Sequence, residues 1–546
     1  MKTGKAGRTF ALLLCAQIIY GGALRTSAEA QSQPKSQTAS SILRPADYQH
    51  YIELFRQQEQ EATGAPGNNS WPWMLQHIPW FEASDKRFEE IYYFRWYAWQ
   101  KHLVSTKRGY IVTEWLPKPE MKDGFFGALP DAAPFHIAEA RWLRDKNISE
   151  DDARFWMSPD ANPRNYSTWF AWTVLGLTQA TEDQGLGREM LPALKANYAA
   201  WDESNRDANG LFWSIDTRDA MEKSISGDGY RPTLNSYMYA DAQAIAALAE
   251  ASGDSSTKAE FTKKAEALRS LIESKLWNPK EGFYEVVSPA ADSDIRKQKK
   301  FVDPGTVLQF SGVRELIGYV PWMFGIPPQN HETAWKQLFD PEGFNGRFGP
   351  TTAERRSPRF RFASSDQCTW NGPSWPFATT QTLLALAEFE NGPPQNVMTK
   401  ADYYKLFSRY VHSQHLKLSN GHVIDWIDED LDADTNEWIA KDMLIAKNKQ
   451  VGRGNYYNHS GFADPLITGL IGLHPRSDNR LELKPLLPPG QWKYFALDGL
   501  PYHGHLLTVI WDADGKRYGR GAGFQIWVDG TKAASRKDLG DLNASL

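Results

Sequence analysis

Four carboxylates, Asp216, Asp219, Glu222 and Asp228, stand within residues 209–241 among the rings of Phe212, Trp213, Tyr230, Tyr237 and Tyr239. Solvated acidic loops seldom carry so many rings, and apolar cores seldom carry so many acids. Flat rings stack on pyranose faces and carboxylates move protons, so the mixture has the composition of a sugar-hydrolysing cleft. A long connection between two helices of a large α-domain is the plain alternative. Met221 sets Glu222 beside apolar surface, which raises a carboxyl's pKa and suits a general acid. Asp219, three residues earlier, is the competing candidate. Asp216 and Asp228 suit hydrogen bonds to sugar hydroxyls or to the loop itself. Arg231 and Asn235 are candidates for binding hydroxyls, and Trp213 and Tyr237 for pocket walls.

Three further constellations carry similar chemistry. In residues 365–375, Trp370 and Trp375 flank Asn371 and a Gly-Pro turn just before a helix, where a rigid loop can present two rings to a pocket; a packed helix entrance is the bland reading. Residues 425–434 hold Asp425, Asp428, Glu429, Asp430, Asp432 and Asp434. The required Gly and terminal Glu are out of register for a calcium loop, which leaves a carboxylate-rich, hydroxyl-binding loop carrying a base. In residues 455–460, Tyr457 and His459 precede a helix, with His459 a base or a hydrogen-bonding wall residue. No His/Cys/Asp cluster has zinc spacing, and neither a G-x-S-x-G elbow nor a P-loop is present. No metal or cofactor is expected.

The elements that must hold these loops are mostly helical. Apolar residues at helical spacing predict helices over 48–62, 89–104, 137–143, 166–180, 189–201, 234–251, 257–277, 307–316, 333–338, 378–390, 400–413 and 462–473. Long aromatic loops over 109–135, 202–233, 341–376 and 414–460 separate them, and loops of such length in a compact domain are usually functional. Short strand-like runs occur at 109–113 and 282–287. The rhythm of paired helices predicts a mainly α fold over 46–477, a closed ring of helical hairpins. After residue 478, alternation of apolar and polar residues punctuated by Asp-Gly turns predicts a small antiparallel β-domain to residue 546.

The chain has 546 residues with 61 basic and 66 acidic side chains, a net charge of −5, and no Lys/Arg block of the kind that binds nucleic acid. Its excess is aromatic, with 22 Trp, 22 Tyr and 27 Phe, which suits stacking on sugars and the filling of a large core. Lys2, Lys5 and Arg8, an interrupted apolar run and Ala28-Glu29-Ala30 predict a signal peptide over 1–30, followed by a disordered polar leader over 31–45. Cleavage there leaves Cys368 alone, so no disulfide forms within the monomer. No segment is long enough to span a membrane, and a periplasmic or secreted location is expected.

In this order, the four stretches resemble the six-hairpin inverting glycosidases: glycoside hydrolase family 63, the mannosylglycerate-hydrolase-type domain and, more distantly, trehalase. Ala220-Met221-Glu222-Lys223-Ser224 matches the family's G-M-D-x-S-P-R loop, with Glu for Asp and without the Pro-Arg. Leu234-Asn235-Ser236-Tyr237-Met238-Tyr239-Ala240-Asp241 matches the helix that begins L-N-x-Y-x-Y-x-D. The W-x-G-P-x-W motif is intact from Trp370 to Trp375. Glu429, Asp432 and Thr435 keep the character of the base-bearing E-N-Y-N-P-x-T-G segment, and residues 463–470 are similar to the family's closing helix.

The resemblance implies an (α/α)6 six-hairpin toroid and an inverting glycoside hydrolase acting on an oligosaccharide or glycoconjugate, while export is expected from the signal peptide. Glu222 would be the acid and Glu429 the base, with carboxyl groups roughly 6.5–9.5 Å apart to admit a water. The long rim loops predict exo action, and the resemblance implies an α-glucosidase- or α-mannosidase-like enzyme. A polysaccharide lyase, with Tyr457 or His459 as base and Arg231 on a uronate, and a silent sugar-binding protein are the rival readings. The residues leave the oligomeric state open.

Overall fold

The computed structural model describes residues 41–116, 128–289, 306–362, 369–440, 454 and 456–546. The signal peptide, residues 31–40 of the leader, Asn455 and the stretch before Thr369 that includes Cys368 lie outside the described residues.

The helices are α1 (Gln49–Thr63), α2 (Trp71–His77), α3 (Lys86–Gln100), α4 (Ala133–Ala140), α5 (Asn147–Trp156), α6 (Phe170–Thr181), α7 (Gln184–Asn205), α8 (Pro232–Ala251), α9 (Ser255–Leu271), α10 (Pro376–Asn391), α11 (Lys400–Ser413) and the short α12 (Ala463–Pro465). Local chemistry sets several boundaries. The Asp85 side chain accepts from the N–H groups of Arg87 and Phe88 and starts α3. Thr399 and Asp402 form a reciprocal capping box at the start of α11. Pro232 and Pro376, each in the first turn where no N–H is needed, open the two helices that follow the aromatic-acidic loops.

Helix α8 is buried on nearly every side, from Leu234 through Leu248, and packs against α6, α7, α9 and the 3-10 segment Leu316–Phe324. A helix that is apolar all round belongs at the centre of a large helical core. The same core takes in α3, whose aromatic face of Phe88, Tyr92, Trp96 and Trp99 is fully enclosed.

The helix predicted over 307–316 is a correction. Leu308–Phe310 is a strand paired antiparallel with Val287–Pro289. Gly312, in the left-handed region at φ +71, ends it, and the chain becomes helical only at Leu316–Phe324. The segment predicted as one helix over 462–473 is α12 continued by a π-turn, Leu466–Leu470. Helices α2 and α5 have no counterpart among the predicted segments.

The C-terminal strands form an antiparallel sheet in the order Trp80–Ala83, Tyr494–Tyr502, His505–Asp512, Gly523–Val528, Thr531–Arg536. Its first edge is a strand from the N-terminal part of the chain, with Trp80 opposite Asp498 and Ala83 opposite Phe495. That strand satisfies an edge that would otherwise present a row of open backbone groups. The end of the predicted leader is also tied to this sheet: Ser41 Oγ and the N–H groups of Ile42 and Leu43 donate to Asp498 Oδ2 at 2.6, 2.8 and 3.0 Å. Among the described residues, no helix is long and apolar enough to cross a membrane.

Candidate active site

The acidic loop before α8 is braced from below by a buried ion pair. Arg231 Nε donates to Asp219 Oδ2 at 2.5 Å, and both side chains are fully enclosed. Asp219 also accepts from Ser167 Oγ and Thr233 Oγ1. The Arg231 guanidinium reaches Ser224 Oγ at 3.2 Å and the Gly227 carbonyl at 2.5 Å. Asn235, buried one turn into α8, bonds both the N–H and the carbonyl of Phe212 at 2.9 Å, fixing the start of the loop to the helix that ends it. Asp219, Arg231 and Asn235 are thus committed inside the scaffold.

Glu222 stands above this brace. Its neighbours Ala220 and Lys223 have φ of +56° and +60°, positions where a side chain is strained and which cluster at functional sites. Met221 is buried beneath it. Burial, and then the charges of Asp131 and Asp216, push the Glu222 carboxyl up to about 7.

The second loop docks directly on the first, through a hydrogen bond of 3.0 Å from Trp370 N–H to the Glu222 carbonyl. Trp370 and Trp375 stack on each other with centroids 4.5 Å apart and planes at 17°, and both are buried. Trp375 Nε1 donates to the Thr369 carbonyl at 3.0 Å. Asn371 is buried, and Gly372 follows at φ +153° where Phe360 and Arg361 approach too closely for a Cβ. The third loop joins the second by a two-way backbone pair between Ser374 and Leu431, at 2.8 and 2.9 Å. This sets Glu429, two residues earlier and buried, on the same wall, with its N–H donating to Asp428 Oδ1 at 2.8 Å.

The fourth segment closes the group. The buried ring of His459 lies 5.6 Å from that of Trp375 and 4.0 Å from that of Tyr457, and burial holds its pKa well below the ordinary value, so it is neutral. Tyr457 packs on Trp115 at 4.5 Å and donates its hydroxyl proton to Glu114 Oε1. The structure therefore brings Glu222, Trp370, Asn371, Trp375, Glu429, Tyr457 and His459 into one continuous group. Tyr237 is buried next to it: its hydroxyl accepts from Gln381 Nε2 at 2.6 Å, and its ring packs on Trp169 at 4.7 Å. Trp213 is half-buried against Tyr230, edge to face at 5.3 Å.

Two acids that the sequence did not single out belong to this group. Glu114 and Asp131, the latter just before α4, are buried, and Asp131 acts electrostatically on Glu222 while Glu429 acts on Glu114. The available signal was an acid beside a ring, Glu114-Trp115, and an acid at a helix entrance, Asp131, in a loop already marked as long.

Residues 126–460 match the sequence profile described as the mannosylglycerate hydrolase MGH1-like glycoside hydrolase domain. The chain belongs to this MGH1-like family. Residues 475–534 match the C-terminal domain of glycosyl hydrolase family 65. Among solved structures, the MGH1-like chain is 37% identical to a protein named "Sialidase", with a TM-score of 0.81 over 92% of this chain and 45% of that one. A GH78 family rhamnosidase of Bacillus sp. GL1 is similar in fold alone, at 12% identity and a TM-score of 0.51, over 80% of this chain and 40% of that one. An uncharacterized protein of Borreliella burgdorferi is 29% identical over 164 residues, 30% of this chain and 31% of its own length. The MGH1-like chain thus spans less than half the length of each of these three proteins.

Proposed function

We propose that the protein is an inverting glycoside hydrolase in which Glu222 is the general acid and Glu429 the general base. The observation that carries this reading is the environment of Glu222: a partly accessible carboxyl, raised to about 7 by burial and by Asp131 and Asp216, on a strained loop that is hydrogen-bonded to the tryptophan loop. Such a carboxyl still holds its proton near neutral pH and can give it to a leaving glycosidic oxygen. Glu429, on the wall reached through Ser374 and Leu431, would take a proton from the attacking water on the opposite face of the sugar. Asp219 then serves as the anchor of Arg231 rather than as the acid. Trp370, Trp375, Tyr457 and His459 supply the wall, and Trp213 the outer edge.

The family supports an (α/α)6 toroid around this site and an oligosaccharide or glycoconjugate as substrate, with exo action suggested by the long rim loops. Export to the periplasm or beyond rests on the N-terminal signal. The name "Sialidase" belongs to a chain of which this protein spans 45%, so it does not give the activity of the part in common. A lyase would need a cation free to neutralise a uronate, and Arg231, the residue suited to that task, is enclosed by Asp219. The test is a glycan panel with the product anomer read by NMR. Hydrolysis with inversion, abolished in both Glu222→Gln and Glu429→Gln, is expected. Retained turnover in both variants, or an unsaturated product absorbing in the near ultraviolet, would overturn the reading.

A further inference from the structure

Two helices that begin at the site end at a second cavity. Helix α4 starts just after Asp131 and leads to Arg141, and α10 starts just after Trp375 and leads to Glu388 and Asn391. Pro376 and Glu388 are roughly 18 Å apart along α10, at about 1.5 Å rise per residue. The cavity has a volume of about 320 Å³, and Arg141, Trp172, Gly176, Glu388, Asp464 and His474 are among the residues that line it. That volume lies within the range of small-molecule sites. A layer of rings stands between the cavity and the group around Glu222. Phe135 lines the cavity and packs on Phe377 at 5.2 Å, and Phe377 packs on Trp370 at 5.9 Å.

The wall of this cavity holds a fixed donor beside a fixed acceptor. Arg141 Nε and Nη2 donate to Asp464 Oδ1 at 3.1 and 2.7 Å, and Trp142 Nε1 donates to the same oxygen at 2.7 Å. The Arg141 and Asp464 side chains are only 12% and 7% exposed, so neither is free to turn away. The three bonds occupy Oδ1; among the described residues, no donor reaches Asp464 Oδ2 and no acceptor reaches Arg141 Nη1. Arg141 Nη1 lies against α6 at Gly176, 2.7 Å from where a Cβ on that residue would stand. A glycine in the interior of a helix weakens the helix, and this one makes room for the guanidinium.

A donor and an acceptor held this close match two adjacent hydroxyls, one accepting from the guanidinium and the other donating to the carboxylate. Trp172, half-buried and edge to face with Phe324 at 5.6 Å, adds an indole to the same cavity. The charges disfavour other ligands. Asp464 and Glu388 oppose an anion, and Arg141 opposes a cation. Burial holds His474 below its ordinary pKa, so it adds no charge.

We propose that this cavity is a second binding site, for a neutral monosaccharide whose adjacent hydroxyls bridge Arg141 Nη1 and Asp464 Oδ2 while its ring lies against Trp172. Binding there does not depend on the role of Glu222.

Calorimetric titration of the full chain with D-glucose, D-mannose and D-galactose tests this. At least one of the three is expected to bind wild type. In Gly176→Ala the added Cβ displaces the guanidinium, and that binding should weaken about tenfold, as expected for the loss of one charged hydrogen bond. Alanine is otherwise the better helix former, so this variant should keep its fold, as read by near-ultraviolet circular dichroism. In Ala138→Phe the new ring enters the cavity from α4, and the binding should be lost. Inorganic phosphate and methylammonium should give no heat that Ala138→Phe removes. Absence of binding by all three sugars would overturn the proposal, as would sugar binding of wild-type strength in folded Gly176→Ala. Phosphate or methylammonium binding that matched the sugars and was lost in Ala138→Phe would overturn the ligand class.

Discussion

Glu222 shows how one carboxyl links activity to stability. It binds its proton more tightly in the folded chain, at about 7, than at its ordinary value of 4.5. Its favourable effect on folding is therefore complete below the unfolded value and declines as pH rises towards 7 and beyond. Two outcomes follow at this scale. The alkaline limb of kcat/KM should lie near pH 7 on a substrate whose leaving group needs a proton, and Glu222→Gln should lower kcat by about 10²–10⁴-fold. The same variant, measured by thermal melting at mildly alkaline pH, should be more stable than wild type by an amount on the order of 1–3 kcal/mol, since a neutral amide replaces a half-buried charge; at mildly acid pH the difference should shrink. The sequence marked Glu222 because of Met221 beside it, and Met221 is indeed enclosed. It did not mark Glu114 and Asp131, whose burial depends on contacts with distant segments such as Tyr457.

At the level of elements, the site depends on loops that hold one another. The Asp219–Arg231 pair fixes the base of the first loop, Trp370 N–H fixes its tip to the second, and the Ser374–Leu431 backbone pair fixes the second to the third. Removing one member of a buried ion pair leaves the other uncompensated, so Asp219→Ala should cost about 3–5 kcal/mol, read from the urea midpoint. Asn235→Ala strands the N–H and carbonyl of Phe212 and should cost about 1–3 kcal/mol by the same measurement. Elements with strong local signals were legible: the predicted helix over 400–413 is α11, with its Thr399 cap, and the predicted helix over 234–251 differs from α8 only in the Pro232 turn. The segment over 307–316 was not, because a short apolar run fits strand or helix until its partner at Val287–Pro289 is known.

Among the described residues, the first segments of the chain are joined to the C-terminal strands. Trp80–Ala83 completes the C-terminal sheet, Glu82 pairs with Arg517, and Ser41 to Leu43 bind Asp498. Phe81 is fully enclosed at this junction, against Tyr92 and Trp492. Phe81→Ala should therefore lower stability by about 3–5 kcal/mol in a single unfolding transition of the full chain. A separate early transition of the C-terminal strands would show that the junction carries less than this. What the sequence by itself determined was periodic or compositional: the helical body, the β-rich end, the aromatic-acidic loops and the motif-bearing residues Glu222, Trp370 and Trp375. These follow from neighbours along the chain, whose spacing sets which face is apolar and which loop is rigid. Only the tertiary structure decided that Asp219, Arg231 and Asn235 brace the scaffold, that an N-terminal strand closes the sheet, and that Glu114 and Asp131 stand beside the proposed acid and base. Those facts depend on burial and on contacts between distant segments, and a carboxyl's role is set by what surrounds it in space.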